Sequence, residues 1–281
     1  MIRDITIGQY YQTDSVIHRL DPRVKLLGTL LYIIALFTYN NPAGYLLGVL
    51  FLLVVIKLSH VPFKFITKGL KGIVIILMMT VLISLLFTPG TSVFSIGKLS
   101  VTYEGIATAL SMIFRLSLLI MGSSIVTLTT TPNNLTDGLE KGLGFLRIFR
   151  VPVGDVAMMM SIALRFIPIL LEETDRIMKA QLARGADFET GNLVKRAKAL
   201  VPVLVPLFVS AFKRAGDLAM AMEARCYRGG DARTKMKPLI YKRRDAYAYV
   251  ALFLFVIISV WIGRWSVITN LFNDIYLGLL K

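Results

Sequence analysis

Long runs of apolar residues constrain this chain more than any other feature of its sequence. Several runs, among them Gly105–Leu128 and Ala246–Gly263, approach or pass the roughly 20 residues that an α-helix needs to cross a bilayer. Of the 281 residues, 56% are hydrophobic, and the mean hydropathy of +0.68 is too high for an ordinary soluble domain. The sequence therefore predicts an all-α, polytopic membrane protein.

Five of the runs are interpreted as transmembrane helices, because polar or proline-bearing turns separate them. They are Leu26–Tyr39, Ala43–Ile56, Ile73–Phe87, Gly105–Leu128 and Ala246–Gly263, of which the first is short for a full span. Residues 91–104 are predicted to form an external loop. The last run, Ile268–Leu280, is too short to span straight and is predicted to be an external tail, packed or interfacial.

The charge distribution predicts the orientation of the chain in the cell membrane. The formal net charge is +15, from 32 basic and 17 acidic side chains. Basic residues cluster before Leu26, between Lys57 and Lys71, and from Lys141 to Arg244. In a polytopic protein such clusters mark cytoplasmic loops and the anionic inner leaflet, so we expect a lipid partner and no nucleic acid. The N-terminus is predicted inside and the C-terminus outside.

These patterns divide the chain into three segments. Residues 1–131 hold an N-terminal cytoplasmic segment and the first four transmembrane helices. Residues 132–245 carry most of the basic residues among amphipathic runs, and are predicted to form a cytoplasmic domain of long helices. Residues 246–281 hold the last transmembrane helix and the tail.

Two runs of the middle segment are apolar enough to suggest membrane spans. They are Val156–Leu171 and Ala199–Ala211. Arg165 and Pro168 interrupt the first run, and Pro202 and Pro206 interrupt the shorter second run, so neither is predicted to span the membrane. They are interpreted as helices that pack together or against the membrane surface.

The middle segment contains the pattern Ala-x-x-Ala-Arg twice, at residues 180–184 and 221–225. In each copy two alanines three apart form a flat strip on one helix face beside a terminal arginine. Gly185 follows the first copy, where a left-handed helix cap belongs, and Cys226 follows the second. A single arginine there is explained by the helix dipole alone, whereas two copies favour contact with partner proteins through the planar guanidinium.

The sequence offers little that points to catalysis. The predicted spans hold no convergent acid, base or nucleophile, and the chain has no Gly-x-x-x-x-Gly-Lys-Ser/Thr phosphate loop. One cysteine and two histidines form no metal-ligand pattern. We therefore expect no catalytic, substrate-binding or metal-binding residues and no cofactor. Arg115, the one charge in the fourth span, is predicted to face other helices and to have a structural role.

Three stretches of sequence resemble a known family over nearly the whole chain. They are Leu20-Asp21-Pro22-Arg23-Val24-Lys25-Leu26, then Arg165-Phe166-Ile167-Pro168 followed by Ala183-Arg184-Gly185, and then Pro202–Phe208 followed by Ala224-Arg225-Cys226. Together they resemble the transmembrane T component of energy-coupling factor transporters. The second motif departs from the family's usual Ala-Arg-Gly at Cys226, which puts the geometry of that helix cap in question.

The resemblance implies a non-enzymatic subunit of an ATP-driven importer for vitamins or transition-metal ions. Such a subunit joins two ABC-type ATPase subunits, which hydrolyse ATP, to a separate substrate-binding membrane subunit, the S component. By the same resemblance one arginine docks on each ATPase, and long coupling helices carry the S component on their apolar face. The implied ATPase-coupling residues are Ala183, Arg184, Gly185, Ala224, Arg225 and Cys226.

Three alternatives stay open at the level of sequence. A pore-lining permease of another ATP-driven transporter would carry polar residues within several spans, and these are scarce here. A membrane-embedded enzyme would need convergent reactive groups. A structural anchor without transport activity would not bind ATPases.

Overall fold

The chain was analysed as a computed structural model, which describes residues 10–89, 92–96, 99–188, 192–229, 236 and 238–279. Its helices are α1 (Pro22–Thr38), α2 (Pro42–Ser59), α3 (Phe63–Lys71), α4 (Val74–Phe87), α5 (Tyr103–Thr129), α6 (Pro132–Gly142), α7 (Val153–Ala183), α8 (Leu193–Ala224) and α9 (Arg243–Leu279). A 3-10 helix, Leu143–Phe149, joins α6 to α7. The first nine residues of the predicted cytoplasmic segment, and Leu280 of the predicted tail, lie outside the described ranges.

The helical class predicted from the sequence is confirmed, with one small addition. Two antiparallel strands, β1 (Ser92–Ile96) and β2 (Leu99–Thr102), form a hairpin between α4 and α5. This hairpin lies where the sequence predicted an external loop. It ends directly at α5, whose first turn is capped by the Thr102 hydroxyl accepting from the N–H of Gly105 at 3.1 Å.

Five of the described helices are long and apolar enough to cross a membrane, which is the number predicted. They are α2, α5, α7, α8 and α9. The identities differ in part, because α1 has 17 residues and α4 only 14. α3 and α4 together form a further candidate, bent by 60° between them. By length and composition α7 and α8 qualify as spans, although the sequence pattern placed them outside the bilayer.

The prolines within α7 and α8 do not end either helix, and both segments are helical as predicted. Pro168 lies inside a continuous helix of 31 residues, and Pro202 and Pro206 lie inside one of 32 residues. Each proline removes one backbone hydrogen bond and crowds the preceding turn. A helix of eight or more turns keeps most of its other backbone bonds, so the loss does not break it.

The described residues form two compact units. The larger unit comprises the described residues up to Gly138 together with those from Leu239 onward, and the smaller unit lies within Leu139–Pro238. In the larger unit α5 packs against α1, α2, α3 and α4, and α9 packs against α1 and α2. Its buried core includes Tyr32, Leu36, Tyr39, Leu118 and Phe255.

Three helix ends are tied together by polar contacts at one end of the larger unit. Asp21 caps α1 as predicted, because its carboxylate accepts from the N–H of Arg23 at 2.9 Å. The N–H of Asp21 donates in turn to Asp245 in the first turn of α9, also at 2.9 Å. The Lys25 ammonium donates to the carbonyl of Thr129, the last residue of α5, at 2.8 Å. The starts of α1 and α9 therefore lie beside the end of α5.

Arg115 has the structural role that its position in a predicted span indicated. Its guanidinium donates to the carbonyl of Tyr39 at 3.2 Å, to the hydroxyl of Tyr45 at 2.9 Å and to the side chain of Asn40. The same group lies 5.5 Å from the centre of the Phe37 ring. These contacts hold the turn between α1 and α2 against α5.

α9 corrects the prediction of a separate tail after the last span. The helix continues past Gly263 through Ile268 to Leu279, for 37 residues. The sequence ended the span at Gly263, but a single glycine costs a helix only about 1 kcal/mol. Here the glycine allows close packing, since a Cβ at Gly263 would lie 2.6 Å from the carbonyl oxygen of Thr38. Gly263 therefore marks a helix contact and not a helix end.

Candidate partner-docking site

The two Ala-x-x-Ala-Arg motifs lie on α7 and α8, which form an antiparallel pair in the smaller unit. Near the middle of the pair, the Arg214 guanidinium of α8 lies 3.3 Å from the Glu173 carboxylate of α7. Because the chains run in opposite directions, the end of α7 lies beside the first half of α8, and the end of α8 lies beside the start of α7. The two motifs are therefore at opposite ends of the pair.

The first motif ends α7 with a Schellman cap. Arg184 is the C-cap residue, and Gly185 after it has the left-handed φ of 85° that the sequence predicted. The N–H of Gly185 donates to the carbonyl of Leu182, and the N–H of Ala186 donates to that of Gln181, each at 3.0 Å. These two bonds satisfy carbonyls that the helix itself leaves unpaired.

The second motif ends α8 with the same cap, although a cysteine replaces the glycine. Arg225 is the C-cap residue, and Cys226 adopts a left-handed φ of 54°. The N–H of Cys226 donates to Glu223 at 2.8 Å, and the N–H of Tyr227 donates to Met222 at 3.1 Å. The cap geometry that the sequence left in question is therefore formed, and the two arginines occupy equivalent backbone positions.

Each motif presents a small exposed surface. We define the α7 tip as Ala180, Ala183, Arg184 and Gly185, and the α8 tip as Ala221, Ala224, Arg225 and Cys226; all eight residues are exposed. Within the described part of the chain, neither Arg184 nor Arg225 has a hydrogen bond or an ion pair through its guanidinium. Both groups are available to a partner.

Two side chains that the sequence reasoning missed hold these tips in place. The Gln181 amide of α7 donates a long hydrogen bond, 3.5 Å, to the carbonyl of Pro202 in α8. That carbonyl lacks its usual helical donor, because Pro206 four residues later has no N–H. At the other end the Tyr227 hydroxyl donates to the Asp155 carboxylate at 3.2 Å, which joins the α8 tip to the first turn of α7.

The sequence positions of Gln181 and Tyr227 point to these contacts only once the pairing of α7 with α8 is known. Gln181 lies within the first motif, and Tyr227 directly follows the second. Tyr227, next to the α8 tip, contacts Asp155 at the start of α7, and about 27 residues of α7 separate Asp155 from the α7 tip. At 1.5 Å per residue the α7 and α8 tips lie roughly 40 Å apart. A single compact partner pocket cannot engage both arginines.

The helix pair also exposes a broad apolar surface. On α8 the exposed apolar side chains recur every three or four residues, which places them along one face. They include Leu200, Val201, Leu204, Val205, Phe208, Val209 and Phe212. On α7, Val156, Met159, Met160 and Ile167 are exposed as well. An exposed apolar face that runs along a helix in this way marks contact with another protein or with lipid.

Nothing in the geometry of the tips indicates chemistry beyond binding. Across the residues that the structure describes, no group of three or more His, Cys, Asp or Glu side chains is arranged to hold a metal ion. The free thiol of Cys226 is exposed, but it lies on the helix cap described above. What the arrangement offers a partner is two arginines with small flanking residues.

Comparison with known proteins decides the family. The model of the CbiQ family, described as cobalt transport protein, matches residues 13–236. The energy-coupling factor transporter transmembrane protein EcfT of Clostridium kluyveri is 53% identical over 267 residues, covering 94% of this chain and 99% of the relative. The proteins of the same name from Thermosediminibacter oceani and Bacillus subtilis are 51% and 47% identical, and cover 92% and 90% of this chain. The chain belongs to the EcfT family.

The EcfT assignment confirms the family to which the sequence motifs pointed. An EcfT protein is the transmembrane component of a transporter, so this chain is a multi-pass membrane subunit of a transport system. The family match includes both arginine motifs and α7 and α8 in full. The α7 and α8 tips therefore lie within the range that the family model matches.

Proposed function

We propose that this chain couples ATP hydrolysis in two ABC-type ATPase subunits to movement of a separate substrate-binding membrane subunit. In this proposal the α7 tip docks on one ATPase and the α8 tip docks on the other. A change in the separation of the ATPases then moves α7 and α8, and this movement tilts the substrate-binding subunit to release its cargo. The chain itself hydrolyses no ATP.

The observation that carries the proposal is the duplication of one docking geometry at two distant places. Both tips have an exposed C-cap arginine, a left-handed residue after it and two small alanines before it. Two equivalent surfaces roughly 40 Å apart suit two copies of one kind of partner. The helix dipole alone explains an arginine at each end, but it does not explain the exposed alanine strips.

The docking contact is expected to involve hydrogen bonds from each guanidinium to acceptors in a groove of the ATPase. Such charge-assisted bonds are directional, and the planar fork of arginine fixes their geometry. The alanines let the helix end approach the groove closely. Truncation of one arginine then removes about 2–5 kcal/mol of contact energy, as for a buried charge pair that loses one partner.

The apolar face of α8 supports a second contact, with the substrate-binding subunit. Exposed side chains from Val201 to Phe212 give this face the character of a protein interface in or near the membrane. The substrate is proposed to be a vitamin or a transition-metal ion, and it is bound by that subunit and not by this chain.

The proposed orientation has the N-terminus inside and the C-terminus outside. It is supported by the basic clusters and by the polar contacts that gather residues 21, 129 and 245 at one end of the larger unit. In this arrangement residues 132–245 form the cytoplasmic coupling domain, although α7 and α8 are long and apolar enough to span. Both helices are proposed to lie along the inner membrane surface, with their apolar faces covered by partner and lipid.

The test is affinity purification of the tagged chain from its native membrane in mild detergent. We expect two ATPase subunits per chain and one small membrane protein, identified and counted by mass spectrometry. Variants Arg184→Ala and Arg225→Ala should each lower ATPase recovery, and the double variant should lower it most. The small membrane protein should remain bound, because its proposed contact is the apolar face.

The matched control is the double variant Arg176→Ala with Lys213→Ala, which removes two exposed basic side chains from the same two helices. It should recover both ATPases at the wild-type ratio. If the control variant and the motif variants lost ATPase recovery equally, docking through the tips would be contradicted. The loss would then be a general effect of removing positive charge. Purification of the wild-type chain without any ATPase would favour the structural anchor.

A further inference from the structure

A cleft of about 320 Å³ lies in the larger unit between α1, α2, α5 and α9. Its floor is formed by buried side chains, among them Val24, Tyr32, Leu52 and Ile125. The hydroxyl of Tyr32 donates to the carbonyl of Leu118 at 3.2 Å, so it does not offer a polar group to the cleft. The walls are therefore apolar along their length.

The cleft has an open side and two different ends. Val54 and Leu58 of α2 and Tyr247 of α9 line it and are exposed. At one end Phe51 lines the cleft, and its ring stacks on that of Phe255 with the ring centres 4.2 Å apart. The other end reaches Arg244, eight residues before Leu252, which is the last residue of α9 that lines the cleft.

The α9 wall of the cleft covers most of one leaflet of a membrane. Eight residues of helix rise roughly 12 Å, and half of a bilayer's hydrocarbon core is about 15 Å. The exposed ring of Tyr247 lies near the Arg244 end, where tyrosine is favoured at the headgroup level. The stacked phenylalanines then lie near the middle of the membrane.

The charged groups near the mouth leave Arg244 available for an anion. Arg19 and Asp14 form an ion pair there, and the pKa of Asp14 is lowered by the hydrogen bond from Arg19 and, less, by the charge of Arg244. Lys25 also lines the cleft, but its ammonium already donates to Thr129 and to two other oxygens. Among the described residues, the Arg244 guanidinium makes no hydrogen bond.

We propose that this cleft binds one anionic phospholipid of the cytoplasmic leaflet. One acyl chain lies between α2 and α9 against the apolar walls, and the phosphate lies against Arg244. The charge balance at the mouth is net positive, and anionic lipids are enriched in the leaflet that faces the cytoplasm. The site is separate from the α7 and α8 tips, so it stands or fails independently of ATPase docking.

The test measures which lipids the purified full chain retains. The protein is reconstituted in vesicles of equal parts phosphatidylglycerol and phosphatidylcholine, extracted in mild detergent and examined by native mass spectrometry. We expect one retained phospholipid, with phosphatidylglycerol favoured at least about fivefold, the effect of one basic residue at a membrane surface. Arg244→Gln should reduce the preference to near one.

Two further variants separate the site from general effects. Arg243→Gln removes the neighbouring exposed arginine, makes the same change of net charge and should keep the wild-type preference. Ala251→Phe places a ring in the cleft and should abolish retention of both lipids. Equal retention of the two lipids by the wild type, or equal effects of the two arginine variants, would overturn the proposal.

A photo-crosslinking residue at position 251 identifies what occupies the cleft in native membranes. Crosslinks to phosphatidylglycerol are the expected result. Crosslinks to residues 1–9 of the same chain, or to a protein partner, would show a different occupant and would also overturn the proposal.

Discussion

At the scale of single residues, the left-handed residue after each arginine decides how α7 and α8 end. Gly185 adopts this conformation without steric cost, whereas Cys226 brings its Cβ close to the following carbonyl. The strain is about 1–2 kcal/mol for a residue other than glycine. Two backbone hydrogen bonds hold Cys226 in this conformation, so the α8 tip is the more strained of the two.

Substitutions at residues 185 and 226 should have opposite effects on the stability of the two helix ends. Gly185→Ala should destabilise the end of α7 by about 1 kcal/mol, because alanine is strained at this φ. Cys226→Gly should stabilise the end of α8 by less than about 1 kcal/mol, since glycine also gains freedom in the unfolded chain. Hydrogen exchange at the amides of residues 185–186 and 226–227 measures both. Changes of the same sign at the two tips would contradict the account of the caps.

Several single residues could be interpreted from the sequence because their roles depend on near neighbours. Asp21 before a proline, and Gly185 after an arginine, are cap signals that need only local sequence, and the structure has both caps. Arg115 was also predictable, since the cost of a charge in lipid forces it toward other helices. Gln181 was not, because its acceptor at Pro202 lies on another helix.

At the scale of whole helices, internal proline and glycine residues do not end the helices that contain them. Pro168 and Gly263 both lie inside long helices, because packing and the remaining backbone bonds exceed the local cost. Whether a helix continues past such a residue depends on contacts with other helices, such as that of Gly263 with Thr38. A local sequence pattern does not show these contacts. The sequence pattern therefore predicted helix positions well and helix lengths less well.

The contact of Tyr227 with Asp155 should keep the α8 tip ordered. Tyr227→Phe removes only the hydroxyl that donates to the carboxylate, at a cost of about 0.5–1.5 kcal/mol. We expect faster hydrogen exchange at residues 225–227 and unchanged exchange at the α7 tip, which has its own contact through Gln181. Tyr241→Phe, a change of the same kind in the larger unit, serves as the control. Unchanged exchange at 225–227 would show that the hydroxyl does not order the tip.

At the scale of the whole molecule, the proposed orientation depends on the basic clusters and on the helix ends that lie together in the larger unit. The N–H of Asp21 donates to Asp245, and the ammonium of Lys25, four residues after Asp21, donates to the carbonyl of Thr129. The hairpin lies between α4 and α5, in a segment with few charges. The family was recognisable from sequence, but the composition could not separate α7 and α8 from spanning helices.

The orientation is tested by labelling single cysteines in intact cells. In a Cys226→Gly background, cysteines at Ser92 and at Asn273 should react with a membrane-impermeant reagent, and one at Lys237 should react only after the cells are opened. Labelling at Lys237 in intact cells, or protection at Ser92, would contradict the proposed orientation.

The most direct measurement is substrate uptake by cells that carry Arg184→Ala together with Arg225→Ala, scored against the amount of protein in the membrane. If the arginines couple this subunit to its ATPases, uptake should fall sharply at normal abundance, and replacement by lysine should restore it only in part. If they only complement helix dipoles, each loss costs about 0.3–1 kcal/mol of helix stability and uptake stays nearly normal. Near-normal uptake by the double variant would contradict the coupling role of both tips.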